Sequence, residues 1–393
     1  MHRDPERIDR LQLALQEAGL DALVCTLPEN VLLLTGYFPI VGVSVALVTR
    51  EGRTFVIVPQ DEQELAECSA DEVVTFAPAS LDRITTAAQA IRAPLQGLIE
   101  SHRLARAVIG YECGEAHEPA SYASMHLYGN SLHEAFDGAS LRPAAEVLAR
   151  LKSVLTAIEI DRVRRACRIA QIAFETGLQS LCAGAKEDQA ASFFRSPLTV
   201  AGIGFEGVAR ADGYAFCMSG PNSARAYGAY ARSHGREICC GDLVLTHCNS
   251  YADGYWTDIT RTYTMGPVND RERQMYEAVF EARQAALDAI RPGIKAADVD
   301  RVARDVFRAR GLADAFKHPT GHGVGFAAID HNARPRLHPK SDDRLEPGMV
   351  FNVEPALYFD GFGGLRHCDM VAVTETGAEL LTPFHTRMEE LLR

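Results

Sequence analysis

Residues 241–266 read GDLVLTHCNSYADGYWTDITRTYTMG, and this stretch predicts a β-hairpin. An apolar run at residues 243–245 precedes turn-forming residues, and residues 255–263 then alternate in the manner of a strand. Folding at Ala252–Asp253 places His247 and Asp258 close to opposite one another on neighbouring strands, where cross-strand side chains lie within about 5.5 Å. The two side chains therefore either share a metal ion or a water molecule, or form a polar pair on a solvated face.

Composition excludes several classes of protein. The 393 residues suffice for two domains of about 100–200 residues each. A formal net charge of -12 and the lack of a basic run disfavour a nucleic-acid partner. No apolar stretch approaches the ~18 residues of a membrane helix, and the charged amino terminus lacks the features of a signal peptide. Ten cysteines without zinc-ribbon spacing favour a reducing, cytoplasmic setting.

The pattern of apolar residues predicts the α/β (α+β) class, with a smaller α/β domain over residues 1–150 and a second domain over residues 151–393. Helical periodicity covers residues 144–181, which lead into the second domain, and residues 270–289 and 297–310 within that domain. In the first domain, we expect helices over 5–19, 60–68 and 80–95 and strands over 21–27, 30–37, 43–49, 54–59 and 106–112.

Chemistry-bearing side chains recur in four further segments of the second domain. The loop FCMSGPNSARAYGAYARSH, residues 216–234, contains Tyr227, Tyr230 and His234. In HPTGHGVG, His322 stands between two glycines, which allow the backbone to approach a ligand closely.

Glu354 ends the apolar run VFNVE, where a carboxylate is costly unless it is paired or bound to a metal. Arg366 and Cys368 precede the buried run MVAVT. Taken singly, His322 reads as a satisfied loop histidine, Glu354 as a partner of Arg366, and Cys368 as an inert thiol. Together with Asp258 they are all metal-ligand types on or beside strands of one domain.

At this point the second domain resembles the pita-bread superfamily of prolidase, aminopeptidase P, methionine aminopeptidase and creatinase. The first half is similar to the smaller N-terminal domain of creatinase and prolidase. The resemblance implies a pita-bread catalytic domain after a creatinase-like domain, and a homodimer. The matching segments, in the family's order, are GYWTDITRT, SGPNS, HPTGHGVG, LEPGMVFNVEP and GGLRHCDMVAVTETGAELLT.

The family's peptidases bind two divalent ions through Asp, Asp, His, Glu and Glu, and the resemblance carries three of these onto Asp258, His322 and Glu354. The first Asp falls on His247 and the last Glu on Cys368. A neutral histidine removes one negative charge, and a neutral thiol would remove another. We therefore expect a single divalent ion, Zn or Fe because imidazole and thiolate are softer than carboxylate, with Mn or Co possible.

The resemblance implies a hydrolase similar to Xaa-Pro aminopeptidase and prolidase, which cleaves an amide bond near the amino terminus of a small peptide or amino-acid-derived substrate, with a bond before proline as one candidate. A metal-activated water would attack, and Glu354 or Asp258 would take its proton. His331, with Tyr227 or His234, would stabilise the oxyanion. Tyr227, or Tyr230, stands where the family has a histidine. Arg366 would orient a substrate carboxylate or hold Cys368.

Two other functions remain open at this stage. One is a metal-independent hydrolase similar to creatinase, acting on a small C–N substrate. The other is a non-catalytic binding protein that uses the pita-bread fold. The retained Asp258, His322, Glu354 and His331 count against the second alternative.

Overall fold

The computed structural model describes residues 3–40, 42–78, 81–82, 84–112, 134–228, 232–328, 330 and 333–392. The chain divides into two compact units, Met1–Lys152 and Ser153–Arg393. Each unit builds its own sheets, and the architecture confirms the α/β class predicted from the sequence.

The first unit contains a six-stranded mixed sheet. Its helices and strands are α1 (Pro5–Ala18), β1 (Ala22–Cys25), α2 (Pro28–Thr35), β2 (Val45–Thr49), β3 (Thr54–Pro59), α3 (Gln63–Ala66), β4 (Glu72–Phe76), α4 (Ala87–Ser101), β5 (Val108–Tyr111), β6 (Ser140–Pro143) and α5 (Ala145–Ser153). The strand order in the sheet is β4-β3-β2-β1-β5-β6. Buried apolar side chains such as Leu47, Phe55, Ile91 and Phe136 form the core of the unit.

The strand predicted over residues 30–37 is wrong, because that segment belongs to helix α2. Pro28 occupies the first turn, where its missing N–H costs nothing, and Gly36 ends the helix with φ 77. Seven of the eight residues in the helix are buried. An apolar run that is buried all round carries no periodicity to distinguish a helix from a strand.

The helix predicted over residues 80–95 lies further along the chain, as α4. The Thr86 hydroxyl accepts from the Gln89 N–H, and the Gln89 side chain accepts from the Thr86 N–H. This reciprocal capping box fixes the first turn at Ala87 rather than several residues earlier.

The second unit repeats one arrangement, a pair of helices beside antiparallel strands. The elements are α6 (Ala157–Ser180), α7 (Glu187–Val200), β7 (Ala211–Ser219), β8 (Leu243–Ala252), β9 (Tyr255–Thr264), α8 (Asp270–Ala289), α9 (Ala296–Ala309), β10 (Val350–Val353), β11 (Ala356–Phe359), β12 (Gly363–Arg366), β13 (Asp369–Val373) and β14 (Ala378–Leu380). In the first half of the unit, helices α6 and α7 pack together and against β7, β8 and β9. In the second half, α8 packs on α9 and against β10, β11 and β12.

A buried ionic cluster holds the second half of this unit to the first. Asp369, at the start of β13, accepts from Arg261 Nη2 at 2.8 Å and from Arg283 Nε at 2.5 Å. Burial raises the pKa of Asp369, but the positive charges and hydrogen bonds around the carboxylate, with Arg261 first among them, together outweigh burial and hold that pKa well below its usual range. Because Arg261 lies on β9 and Arg283 on α8, one carboxylate joins three elements.

Asp369→Asn keeps the shape of this side chain but removes its charge. Two buried guanidinium groups would then lack a counter-charge, so we expect the free energy of unfolding to fall by about 3–5 kcal/mol in urea denaturation. Asp298→Asn serves as the control, because Asp298 pairs with Arg301 on the exposed face of α9 and such pairs contribute about 0–1 kcal/mol. Equal losses in the two variants would contradict the role assigned to the cluster.

Candidate active site

The predicted hairpin forms, with its turn one residue later than expected. Asp253 and Gly254 occupy the turn with φ 48 and φ 88, as tight hairpin turns require. His247 therefore pairs with Thr260, and Asp258 lies diagonally from it across β8 and β9. The two side chains still approach, with His247 Nδ1 3.7 Å from Asp258 Oδ1.

A tight cluster forms where Cys368 pairs with β9. The Thr260 N–H donates to the Cys368 carbonyl, and the Cys368 N–H donates back at 3.0 Å. This pairing places the Cys368 thiol 3.1 Å from the Asp258 carbonyl oxygen, to which it donates. One donor atom each from Asp258, Glu354 and Cys368 lies within 4.8 Å of the others, and all three residues are buried.

His322 is held in one tautomer beside this cluster. Its Nδ1–H donates to the Gly323 carbonyl at 3.0 Å, because a carbonyl can only accept. Asn352 fixes the backbone by accepting from the His322 N–H at 2.7 Å. The Nε2 lone pair is therefore directed away from Gly323, and Nε2 lies 3.6 Å from Asp258 Oδ2.

His247 and Arg366 share one hydroxyl. The Arg366 Nε–H donates to Thr260 Oγ1 at 3.0 Å, and the same oxygen lies 2.9 Å from His247 Nδ1. Burial lowers the pKa of His247 to about 4, so the ring is neutral near pH 7. A neutral imidazole can act as a metal ligand, whereas an imidazolium cannot.

The charged groups around Cys368 oppose its ionisation. Burial, followed by the nearby carboxylates of Asp258 and Glu354, raises the pKa of the Cys368 thiol well above its ordinary value. Arg366 supplies the local positive charge, with Nη1 3.7 Å from Glu354 Oε2. In the protein without a cation at this position, Cys368 is therefore a neutral thiol.

The remaining predicted site residues divide into three groups. Tyr227 lines the same cavity as Asp258, and its side chain packs edge-on against Tyr358. His234 is exposed and is not among the residues that line the cavity. His331 and Tyr230 lie outside the described residues.

The cavity has a volume of about 460 Å³ and extends beyond the predicted set. One wall comes from a segment that sequence reasoning did not select, because its polar residues match no ligand spacing. His318 also lines the cavity, where Tyr358 donates to its Nε2 at 2.9 Å. The unpredicted polar lining residues are His318, Arg336, His338, Lys340 and Ser341.

Glu187 is a further residue that sequence reasoning missed. It is fully buried at the start of α7, and its Oε1 accepts from the Ser219 N–H at 2.7 Å and the Ser219 hydroxyl at 2.8 Å. Its Oε2 accepts from Asn222 Nδ2 at 2.7 Å and from the His234 N–H at 2.8 Å. The two oxygens thus hold both ends of the loop that contains Tyr227. No local pattern around Glu187 marks this role, since all four donors lie more than 30 positions away.

The Metallopeptidase family M24 model matches residues 161–375, which is more than half of the chain. The chain belongs to metallopeptidase family M24. The Creatinase/Prolidase N-terminal domain model matches residues 7–154. The resemblance noted in the sequence is therefore confirmed for both parts of the chain. Family membership identifies the protein as a metal-dependent peptidase and a divalent metal as the cofactor its family uses.

Several relatives match this M24 chain along almost its entire length. The Xaa-Pro dipeptidase of Pyrococcus furiosus is 28% identical over 96% of the chain and 97% of its own length. The structure of an Xaa-Pro dipeptidase from Bacillus anthracis aligns with a TM-score of 0.78 at 25% identity, covering 99% of each chain. Dipeptidase PepE from Mycobacterium ulcerans aligns with a TM-score of 0.73 at 28% identity, covering 98% of this chain and 96% of its own.

Within the described part of the M24 chain, no helix combines the length and apolar character needed to cross a membrane.

Glu187→Gln would replace one acceptor oxygen by an NH₂ group that faces N–H or O–H donors. We expect a loss of about 1–3 kcal/mol in stability and faster hydrogen exchange at the Ser219 and His234 amides, measured by mass spectrometry. Glu175→Gln is the control, because Glu175 accepts a single exposed bond from Gln171. Unchanged exchange at both amides in the Glu187 variant would refute the proposed anchoring of the loop.

Proposed function

We propose that this M24 peptidase hydrolyses the amide bond of dipeptides or similarly small peptides at a site for a single divalent ion. The relatives named Xaa-Pro dipeptidase and dipeptidase support the size of the substrate. The close cluster of Asp258, Glu354 and Cys368 carries the proposal of one ion, because its donor atoms can converge on one point.

The chemistry of the donor set fits one ion better than two. Asp258, Glu354 and Cys368 form the centre, and the His322 ring and the neutral His247 ring adjoin Asp258. Two divalent ions need compensating carboxylates, yet two of the positions that the resemblance aligns with family carboxylates are a histidine and a cysteine. The Arg366 guanidinium beside Glu354 adds positive charge and further disfavours a second ion. Zn or Fe suits imidazole and thiolate donors best, with Mn or Co as the other candidates.

An ion held by these residues supplies Lewis acidity, which lowers the pKa of water and polarises a carbonyl. The protein's own groups then handle protons and charge. In this proposal Glu354, which borders the cavity, accepts the proton of the attacking water. Tyr227, also on the cavity wall, donates its hydroxyl proton toward the developing oxyanion, a role shared with His331 in the proposal.

Arg366 acts as a positioning residue in this proposal. Its guanidinium donates to Thr260 Oγ1 and, at 3.3 Å, to the Ala226 carbonyl, so its direction is fixed from two sides. Arg366 thereby fixes the positions of Glu354 and of Thr260, whose hydroxyl also contacts His247.

Domain boundaries at residues 150 and 151, a homodimer and a cytoplasmic location remain predictions from the sequence.

Metal content tests the single-ion site. Protein purified without tag or chelator is expected to contain about one equivalent of Zn or Fe by inductively coupled plasma mass spectrometry. Cys368→Ser removes the soft donor and is expected to lose about 10- to 100-fold in metal affinity. Cys217→Ser is the matched control, because Cys217 is equally buried but bonds to Thr246 outside the cluster.

Two outcomes of that measurement would contradict the proposal. Two equivalents in the unaltered protein would restore a dinuclear peptidase. No bound metal after addition of Zn, Fe, Mn or Co would instead favour a creatinase-like hydrolase, whose substrates would be small C–N compounds.

Restoring the family's carboxylates tests the charge argument from the opposite direction. The double variant His247→Asp, Cys368→Glu adds negative charge at both altered positions, so we expect metal content to rise from about one to about two equivalents. Either single variant alone serves as the control, with content below two. A folded double variant that still binds one ion would show that charge does not set the count.

A further inference from the structure

We propose that Lys317 is a positioning residue that orients Tyr227 at the cavity wall and strengthens the Tyr227 hydroxyl as a hydrogen-bond donor. The inference rests on the proposed function, in which Tyr227 donates to the oxyanion, and it adds a residue that is not among those lining the cavity. It comes from the contacts of the Tyr227 ring with Lys317 and with Tyr358.

The Tyr227 side chain needs support because it is only partly enclosed by the protein. The residue is 45% exposed, and an exposed side chain retains rotamer freedom that must be lost before its hydroxyl can donate in one direction. The backbone just before it is fixed, since Arg366 Nη1 donates to the Ala226 carbonyl at 3.3 Å. The direction of the side chain therefore depends on contacts of the ring itself.

Lys317 and Tyr358 supply such contacts. The Lys317 ammonium lies 4.9 Å from the centroid of the Tyr227 ring, within the ~6 Å over which an aromatic face attracts a cation. Tyr358 packs edge-on against Tyr227, with the ring centroids 5.8 Å apart. Because Tyr358 is buried and bonded to His318, this second contact is rigid.

The backbone of Lys317 is fixed on both sides by Arg304. Arg304 Nη1 donates to the Phe316 carbonyl at 3.4 Å, and Arg304 Nη2 donates to the His318 carbonyl at 2.6 Å. Arg304 is held in turn by Asp300, whose Oδ2 accepts from Arg304 Nε at 2.7 Å. The Lys317 side chain therefore begins at a defined point beside Tyr227.

Asp360 directs the far end of the Lys317 side chain. Lys317 Nζ lies 3.1 Å from Asp360 Oδ1, and the side chain of Asp360 is 82% exposed whereas that of Lys317 is 28% exposed. Water screens an exposed charge more strongly than a partly buried one. Of the two charges, that of Lys317 is therefore the less screened, and the ammonium retains its attraction for the Tyr227 ring.

A cation beside a phenol ring has two effects on the phenol hydroxyl. It restricts the orientation of the ring, and it favours negative charge on the phenolic oxygen, which makes the hydroxyl a stronger hydrogen-bond donor. The benefit is largest in the transition state, because the oxyanion that accepts this hydrogen bond develops its charge there. Loss of the Lys317 charge should therefore lower kcat and leave KM nearly unchanged.

A double-mutant cycle in the metal-loaded protein tests this assignment, with the dipeptide that the unaltered protein hydrolyses fastest and Ala-Pro as the first candidate. Lys317→Met keeps the length of the side chain but removes its charge, so we expect kcat to fall about threefold to tenfold. Lys317→Arg keeps a cation at the ring and should retain kcat within about twofold. In the Tyr227→Phe background, which lacks the hydroxyl, Lys317→Met should cause no further fall. Lys295→Met is the control, because it removes an equal charge that pairs with Asp342 and lies outside the cavity lining.

Unchanged kcat in Lys317→Met would overturn the assignment, and so would an equal fall in the Tyr227→Phe background. If no dipeptide is hydrolysed, the proposed function fails, but fluorine NMR of protein labelled with meta-fluorotyrosine still decides the inference. The Tyr227 signal is assigned by its absence from Tyr227→Phe. A signal that shifts in Lys317→Met and returns in Lys317→Arg supports the positioning of the ring, whereas an unmoved signal overturns it.

Discussion

The mutual backbone bonds between Thr260 and Cys368 bring the two halves of the second unit into one site. Asp258 lies on β9 in the first half, whereas Glu354 and Cys368 follow and precede strands of the second half. Without this pairing the three donor groups have no reason to converge. The site therefore forms only where the two halves meet, and neither half contains it alone.

The adjacent residues Cys368 and Asp369 lie in opposite electrostatic environments. Asp369, one residue after Cys368, is compensated by two arginines and stays ionised although it is fully buried. Cys368 faces Asp258 and Glu354, and without a cation it stays protonated. A cation bound there would reverse this balance, because the two carboxylates and the thiol would then stabilise the same charge. Of these two adjacent residues, Asp369 therefore stabilises the fold, whereas Cys368 is available to bind a cation.

The fold was predictable wherever amphipathic periodicity or alternation survives in the sequence. The helix predicted over residues 270–289 coincides with α8, and the hairpin was displaced by a single residue. Helix α2 was missed because burial on all sides removes the periodic pattern on which such predictions depend. The start of α4 was misplaced because a capping pair, Thr86 with Gln89, decides it rather than the apolar stripe.

The candidate site shows the same division between local and distant information. Asp258, His322 and Glu354 lie in short motifs whose residue types reveal their chemistry, so sequence alone could propose them. Glu187 acts through four donors in a remote loop, so it has no local pattern. Residues that bind a cation must be of a few types, whereas a residue that anchors a loop needs only acceptor atoms where the fold brings the donors together. The anchoring of the loop therefore requires the three-dimensional structure, even where the reaction class is already evident from the sequence.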